Sequence, residues 1–295
     1  MSSSNSSGGI YKSTRPLLPM SQCLPWIVGI TADSLAIVTL NFITIISFLR
    51  QRHLQRRSLY LIIHLAIVDF LVGAISGPVL IGRVGIFCFS WSDHLTVSLL
   101  FRLFPVASFT NLLTVSLERT FATFCPLRHR SLRRRVFYVA IFSIWLLVVI
   151  REAIYLTALL RSPISLARIS LFLEVIPWVI YLFIFWVSHI SIFVKIRFSP
   201  HPNPLHNGVI NRERRLTFTL FAAVLVSLLV WLPLLIILIF EMFFKILSSL
   251  SLSSYFHFMA TVHLLLLTNS LVNPIIYAIR MPSFRANLRN SQSTA

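Results

Sequence analysis

Long apolar stretches separated by short basic segments dominate this sequence. Seven of them are long enough to cross a bilayer as helices, which takes about 20 mainly apolar residues each. They lie near 24–49, 59–84, 93–124, 136–160, 168–196, 214–244 and 255–280. The alternating segments typical of membrane β-barrels are not found. The pattern predicts an all-α membrane protein, a seven-transmembrane helix bundle without a soluble domain or an internal repeat.

The composition also places the chain in lipid rather than in water. Of its 295 residues, 57% are hydrophobic and only 12% are charged, whereas soluble domains carry about 25% charged residues. A net charge of +18 would suit a nucleic-acid-binding protein, but such proteins spread basic groups over a solvated face. Here long stretches have no basic residue, so we expect membrane lipids around the chain and no nucleic acid as a partner.

Most of the 26 Lys and Arg residues lie on one side of the spans. They cluster after spans 1, 3, 5 and 7, for example at 128–135. Because basic loops stay in the cytoplasm, we predict a multi-pass plasma membrane protein with an extracellular N-terminus. Residues 1–22 are predicted to form an extracellular disordered tail with a glycosylation sequon at Asn5, and 23–281 to form the bundle.

The cysteines leave one question open. Cys23 and Cys88 would both lie on the oxidising side of the membrane and could pair, whereas Cys125 would face the cytosol and stay reduced. The sequence does not decide whether the outer two form a disulfide.

Polar side chains inside apolar spans are costly and mark candidate sites of function. The carboxylate Asp69 lies at mid-depth in span 2. Amide and hydroxyl side chains lie at a similar depth in spans 1, 3 and 7: Asn41, Ser108, Asn111, Asn269, Ser270 and Asn273. Because one helix cannot satisfy a buried carboxylate, we expect these groups to gather around Asp69 and hold water or a small cation. The alternative is a structural cluster that joins helices by hydrogen bonds.

At the inner end of span 3, Glu118 precedes Arg119, and Glu213 opens span 6 at the same membrane depth. A Glu–Arg pair at a helix end is commonly a surface ion pair worth under about 1 kcal/mol. A contact between Arg119 and Glu213 would instead tie spans 3 and 6 together, as a two-state switch requires. Pro233 and Pro274 lie within spans 6 and 7 and predict hinges there, although prolines are also frequent in membrane helices.

Taken in order, these residues resemble the rhodopsin-like (class A) G protein-coupled receptors. One motif falls in each span: Asn41, Leu65-Ala66-x-x-Asp69, Glu118-Arg119-Thr120, Trp145, Pro177, Trp231-x-Pro233 and Asn269 to Tyr277. His94 stands in place of the family's usual outer cysteine of span 3, and the short second outer loop, 161–167, has no cysteine. Because it lacks these cysteines and has a short second outer loop, the chain is similar to the branch of the family that contains melanocortin, lysophospholipid, cannabinoid and adenosine receptors.

The resemblance implies roles for these residues. Asp69, with Asn41, Ser108, Asn269, Ser270 and Asn273, matches the family's allosteric sodium site, and sodium is the only cofactor implied. Arg119 matches the arginine that engages the G protein, Glu213 the acid that restrains it, Trp231 the toggle beneath the ligand, and Tyr277 a tyrosine that swings inward. Residues 282–295 match a short amphipathic eighth helix and cytoplasmic tail. Thr120, Phe185 and Ser227 depart from the family's pattern at positions that the resemblance links to activation.

The outer half of the bundle, where such receptors bind ligands, carries charged and aromatic side chains. The candidate ligand-binding residues are Phe101, Arg102, Glu152, Glu174, Trp231 and His263, with Arg83 and Arg151 nearby. Phe101 stands where monoamine receptors carry Asp, and Leu267 stands where opsins carry the retinal lysine. Arg102 either pairs with Glu174 across the pocket or favours a carboxylate or phosphate ligand.

Two functions fit these observations. The first is a cell-surface receptor whose extracellular ligand, a small molecule, lipid or peptide, shifts a two-state bundle and activates a heterotrimeric G protein. The second is an ion channel or transporter with Asp69 as its ion site. Such a protein is expected to show half-repeats or broken helices, and the sequence has neither. An enzyme is not expected, because the mid-depth positions offer a single Asp and no catalytic pair.

Overall fold

The structure, a computed structural model, describes residues 18–50, 59–89, 95–161, 163–198, 225–237, 239–240 and 249–280. Within these ranges the side chains of 95–98, 158–159, 161, 163–174, 196–198 and 277–280 are not described.

All regular structure in these ranges is helical, which confirms the predicted all-α bundle. The helices are α1 (Met20–Arg50), α2 (Leu59–Leu71), α3 (Gly77–Cys88), α4 (Leu95–Phe124), α5 (Pro126–Ser131), α6 (Arg134–Arg161), α7 (Pro163–Phe198), α8 (Leu225–Ile237) and α9 (Leu252–Arg280). A π-helical turn at Val72–Ser76 joins α2 and α3 into one span. Among the described residues, 6 helical segments are long and apolar enough to cross a membrane, and the shorter apolar helix α8 lies in the predicted sixth span.

The helices pack around α4. This helix contacts α2, α6 and α7, while α1 contacts α2, α3 and α9. Side chains that face outward on α6 and α7 are large and apolar, such as Val139, Phe142 and Phe183. Exposed apolar surface of this kind is expected where lipid rather than water surrounds a helix.

Two glycines allow α1 to approach the second span closely. A Cβ atom on Gly73 would lie 2.8 Å from the Cγ2 atom of Ile37, and one on Gly77 would collide with the Ser34 side chain. Small residues spaced in this way let membrane helices approach backbone to backbone. Both glycines border or lie within the π-helical turn, which the sequence analysis did not anticipate.

The outer end of α1 is fixed covalently. Cys23 and Cys88 form a disulfide, which answers the question left open by the sequence. The Leu18 amide also donates a hydrogen bond to the Phe87 carbonyl at 3.0 Å. Helix α1 begins at Met20, slightly before the predicted end of the N-terminal tail.

Candidate functional site

Asp69 is the centre of a buried hydrogen-bonded cluster. Its Oδ1 atom accepts hydrogen bonds from Ser108 at 2.5 Å and from Ser270 at 2.9 Å. Its Oδ2 atom accepts one from the Asn273 amide at 2.8 Å. The structure thus brings side chains from α2, α4 and α9 onto one carboxylate that is 0% exposed. Helical spacing explains the convergence on α9, because positions 270 and 273 are three apart and share a face.

Buried amide oxygens that bind no donor among the described residues lie in and near this cluster. They include Oδ1 of Asn273, whose amide donates to Asp69, and Oδ1 of Asn41, whose amide donates to the Ser270 carbonyl. The Oδ1 atoms of Asn269 and Asn111 are in the same state, but the Asn111 amide donates to the Leu61 carbonyl and not to the cluster. Unsatisfied buried oxygens are rare in native proteins and point to a bound water or ion. Oxygen ligands with one carboxylate suit a hard cation such as sodium, and the described residues hold no group of three or more His, Cys, Asp or Glu that would suit a transition metal. The residues around Asp69 therefore fit the implied sodium ion.

The inner end of α4 carries a second carboxylate. Glu118 accepts hydrogen bonds from Arg119, through Nε at 2.6 Å and Nη2 at 3.2 Å. Its Oε1 atom also lies 2.5 Å from Nε2 of His129. Arg119 is only 4% exposed and the Glu118 side chain is 9% exposed, so this is not the surface ion pair considered as an alternative above.

His129 was missed by the sequence analysis, which assigned it to a loop. It lies on α5, a single short helix that begins at Pro126, and proline at the first position of a helix is a common start signal. The tie between α7 and α4 was missed as well. Lys195 donates a hydrogen bond to the Thr123 carbonyl at 2.6 Å and lies over the Phe124 ring, which places a cation at the negative end of α4.

Trp231 lies in a buried aromatic cluster with Trp178 and Phe109. The ring centroids of Trp231 and Trp178 are 4.0 Å apart, and Phe109 lies 5.4 Å from Trp231. These rings join α4, α7 and α8. The Trp231 indole N–H and the Ser227 hydroxyl are buried and have no hydrogen-bond partner in the described part of the chain.

Arg102 is held by α6. Its Nε atom lies 3.4 Å from Oε2 of Glu152, and its guanidinium lies 3.9 Å from the centroid of the Tyr155 ring. Glu152 also pairs with Arg151. The side chain of Glu174, which was the predicted partner of Arg102, lies outside the described residues. Arg102 therefore has a structural partner in Glu152, which the sequence analysis had placed among the ligand-binding residues.

Phe101, His263 and Arg83 meet on the other side of α4. The His263 ring packs edge-on against Phe101, with centroids 4.9 Å apart, and the Arg83 guanidinium lies 5.4 Å from the Phe101 centroid. Phe101 is buried, whereas Arg83 and His263 are partly exposed. This Arg83–Phe101–His263 cluster joins α3, α4 and α9.

Several residues for which the sequence predicts a role lie outside the part of the chain that the structure describes. Asn5, Glu213, the predicted eighth helix and the tail at 282–295 fall there, as do the side chains of Glu174 and Tyr277. Pro233 and Pro274 lie inside α8 and α9. The structure does not bear on the contact between Arg119 and Glu213.

A helical membrane bundle with a buried carboxylate hub, a buried arginine at one end and a charged aromatic cluster at the other has the architecture of a seven-transmembrane receptor. The family model described as "7 transmembrane receptor (rhodopsin family)" matches residues 40–277. The chain belongs to this family, which points to a receptor rather than an enzyme.

One curated relative extends the comparison. The chain is similar to the histamine H4 receptor of Mus musculus, with 37% identity over 92 residues. The match covers 31% of this chain and spans 21% of the mouse receptor's length.

Proposed function

We propose that this protein is a cell-surface receptor, with its N-terminus outside the cell, that couples an extracellular ligand to a heterotrimeric G protein. One observation carries the proposal: Arg119 is buried at the inner end of α4 and is held by Glu118 and, through Glu118, by His129. A buried charge is costly without its partner. The contact between Glu118 and Arg119 therefore stabilises a resting state, and a bound G protein replaces this contact with contacts of its own.

Helices α8 and α9 each carry a proline at which they could bend. Trp231 on α8 packs against Trp178 and Phe109, and Pro233 on the same helix removes a backbone hydrogen bond that would resist bending. On α9, Pro274 directly follows Asn273, a partner of Asp69. A ligand that binds one arrangement of α8 and α9 more tightly than the other shifts the population of the two states.

We further propose that sodium favours the resting state. Asp69, Ser108, Asn269, Ser270 and Asn273 would hold the ion, which supplies the positive charge that the described partners of Asp69 lack. Bound sodium would thereby offset the cost of the buried carboxylate.

The experiment that tests the receptor proposal measures guanine nucleotide exchange on a panel of purified G protein α subunits, with the full chain in lipid nanodiscs. Glu118→Gln should raise ligand-free exchange by about 5–30-fold, because weakening the resting contact by one to two kcal/mol shifts the two states by that factor. The double variant Glu118→Gln/Arg119→Gln should return to background. A single variant that folds normally and raises exchange on no α subunit contradicts the proposal.

A further inference from the structure

Three consecutive arginines at the inner end of α6 form an exposed basic patch. Arg133 directly precedes the helix, and Arg134 and Arg135 are its first two residues. Within the part of the chain that the structure describes, none of the three makes a side-chain hydrogen bond, an ion pair or a ring contact. Arg133–Arg135 are called the inner arginine patch below.

The described residues supply no anion for this patch. The first turn of α6 has no acidic residue, and Glu118, the described carboxylate on this side of the bundle, is engaged by Arg119 and His129. Glu213, which the sequence places on the same side, lies outside the described residues. Cations at the start of a helix are also repelled by its positive end. An anion from outside the chain would therefore stabilise the patch.

The outward face of α6 leads from this patch into the lipid. Exposed side chains follow one another there at helical spacing: Arg135, Val139, Phe142 and Leu146. From Arg135 to Leu146 the helix rises about 16 Å, close to half of the roughly 30 Å hydrocarbon core of a bilayer. Tyr138 is exposed on the same helix, and tyrosines collect at the interface between membrane and water. A lipid chain therefore fits along this face with its headgroup at the patch.

We propose that the inner arginine patch binds a phospholipid of the inner leaflet whose headgroup carries several phosphates. Arginine pairs bidentately with phosphate, and a headgroup with several phosphates engages more than one arginine at once. The apolar face of α6 favours a membrane lipid, because a soluble polyphosphate would leave that face without a partner. The inference rests on the proposed receptor function only for the orientation that places the start of α6 in the cytosol.

The test is native mass spectrometry of the full chain, released from mixed micelles that contain phosphatidylcholine, phosphatidylserine and phosphatidylinositol 4,5-bisphosphate. The bisphosphate lipid should be retained in preference to the other two. Arg134→Gln/Arg135→Gln should weaken its binding by about 30-fold, since each arginine near an anionic headgroup contributes a factor of about five. Arg134→Lys/Arg135→Lys keeps the charge and should retain most of the binding, which separates loss of charge from misfolding.

Arg50→Gln is the matched control for Arg135→Gln. Each variant removes one exposed arginine from the inner side, but Arg50 ends α1, a helix that packs with α2, α3 and α9. Arg135→Gln should weaken binding of the bisphosphate lipid about fivefold, and Arg50→Gln should leave it near that of the wild type.

Inositol 1,4,5-trisphosphate, the soluble headgroup, distinguishes a lipid site from a site for a soluble anion. It should bind far more weakly than the lipid, because it has no chains to contact α6. Equal binding of the soluble headgroup, equal retention of the serine and bisphosphate lipids, or equal losses in Arg135→Gln and Arg50→Gln would overturn the inference. Lipid binding through the patch by a protein that raises nucleotide exchange on no α subunit would leave this inference standing and contradict the receptor proposal instead.

Discussion

Asp69 is a fully buried carboxylate and the Glu118 side chain is 9% exposed, but the two differ mainly in the kind of partner they have. The described partners of Asp69 are the neutral side chains of Ser108, Ser270 and Asn273. Glu118 instead binds Arg119 and His129, one permanently charged and the other able to become so. A carboxylate with neutral donors keeps its charge available for a mobile cation, whereas one beside an arginine is neutralised by the chain itself. The first arrangement suits regulation by an ion, and the second suits a switch between conformations.

Replacing each carboxylate in turn tests this comparison most directly and should have the largest effect. Glu118→Leu should lower the free energy of unfolding by about 3–5 kcal/mol, because Arg119 is left buried without its main partner. The double variant Glu118→Leu/Arg119→Leu should recover most of that loss. Asp69→Leu should also lower the free energy of unfolding. The double variant Asp69→Leu/Asn273→Leu should not recover that loss, because Ser108 and Ser270 remain as unpaired donors. Equilibrium unfolding in mixed micelles measures all four variants, and equal rescue at both sites would remove the distinction.

Sodium should change the free energy of unfolding by a smaller amount, and it should do so through Asp69 and not through Glu118. Replacing choline with sodium at about ten times its Kd should stabilise the wild type by about 1.4 kcal/mol, the mass-action value for one site. Asp69→Asn should abolish this difference, and Glu118→Gln should keep it. Thermal unfolding in the two salts makes the comparison. A sodium response that survives in Asp69→Asn would place the ion elsewhere.

The smallest expected effect concerns His129. His129→Gln should weaken the hold on Glu118 by about 1 kcal/mol and raise ligand-free nucleotide exchange about fivefold. Arg128→Gln, an exposed change on the same short helix, is the control and should leave exchange unchanged. If both variants behave alike, His129 does not restrain the switch.

The sequence was most informative where motifs place residues at a defined depth on long helices. Asp69, Ser108, Ser270 and Asn273 could be grouped before any coordinates, because an apolar span fixes depth and helical periodicity fixes the face. The partners of the outer arginines were harder to predict from the sequence. Arg102 has a long, flexible side chain with two acids within the same half of the bundle, and sequence spacing does not select between them.

Short elements escaped prediction for a different reason. The helix α5 has only 6 residues, too few for a periodic pattern, so His129 could not be placed beside Glu118. The Gly73 and Gly77 spacing was a visible signal for close packing of helices. The π-helical turn at Val72–Ser76 packs against α1, a tertiary contact that local sequence does not specify.

The disulfide between Cys23 and Cys88 has a topological consequence. With a sequence separation of 65, it closes α1, α2 and α3 into one covalent ring. A protease that cuts the chain between Arg50 and Leu59, where Arg52, Arg56 and Arg57 offer tryptic sites, would open this ring without releasing a fragment. The first two spans would therefore migrate together on a gel until a reductant is added.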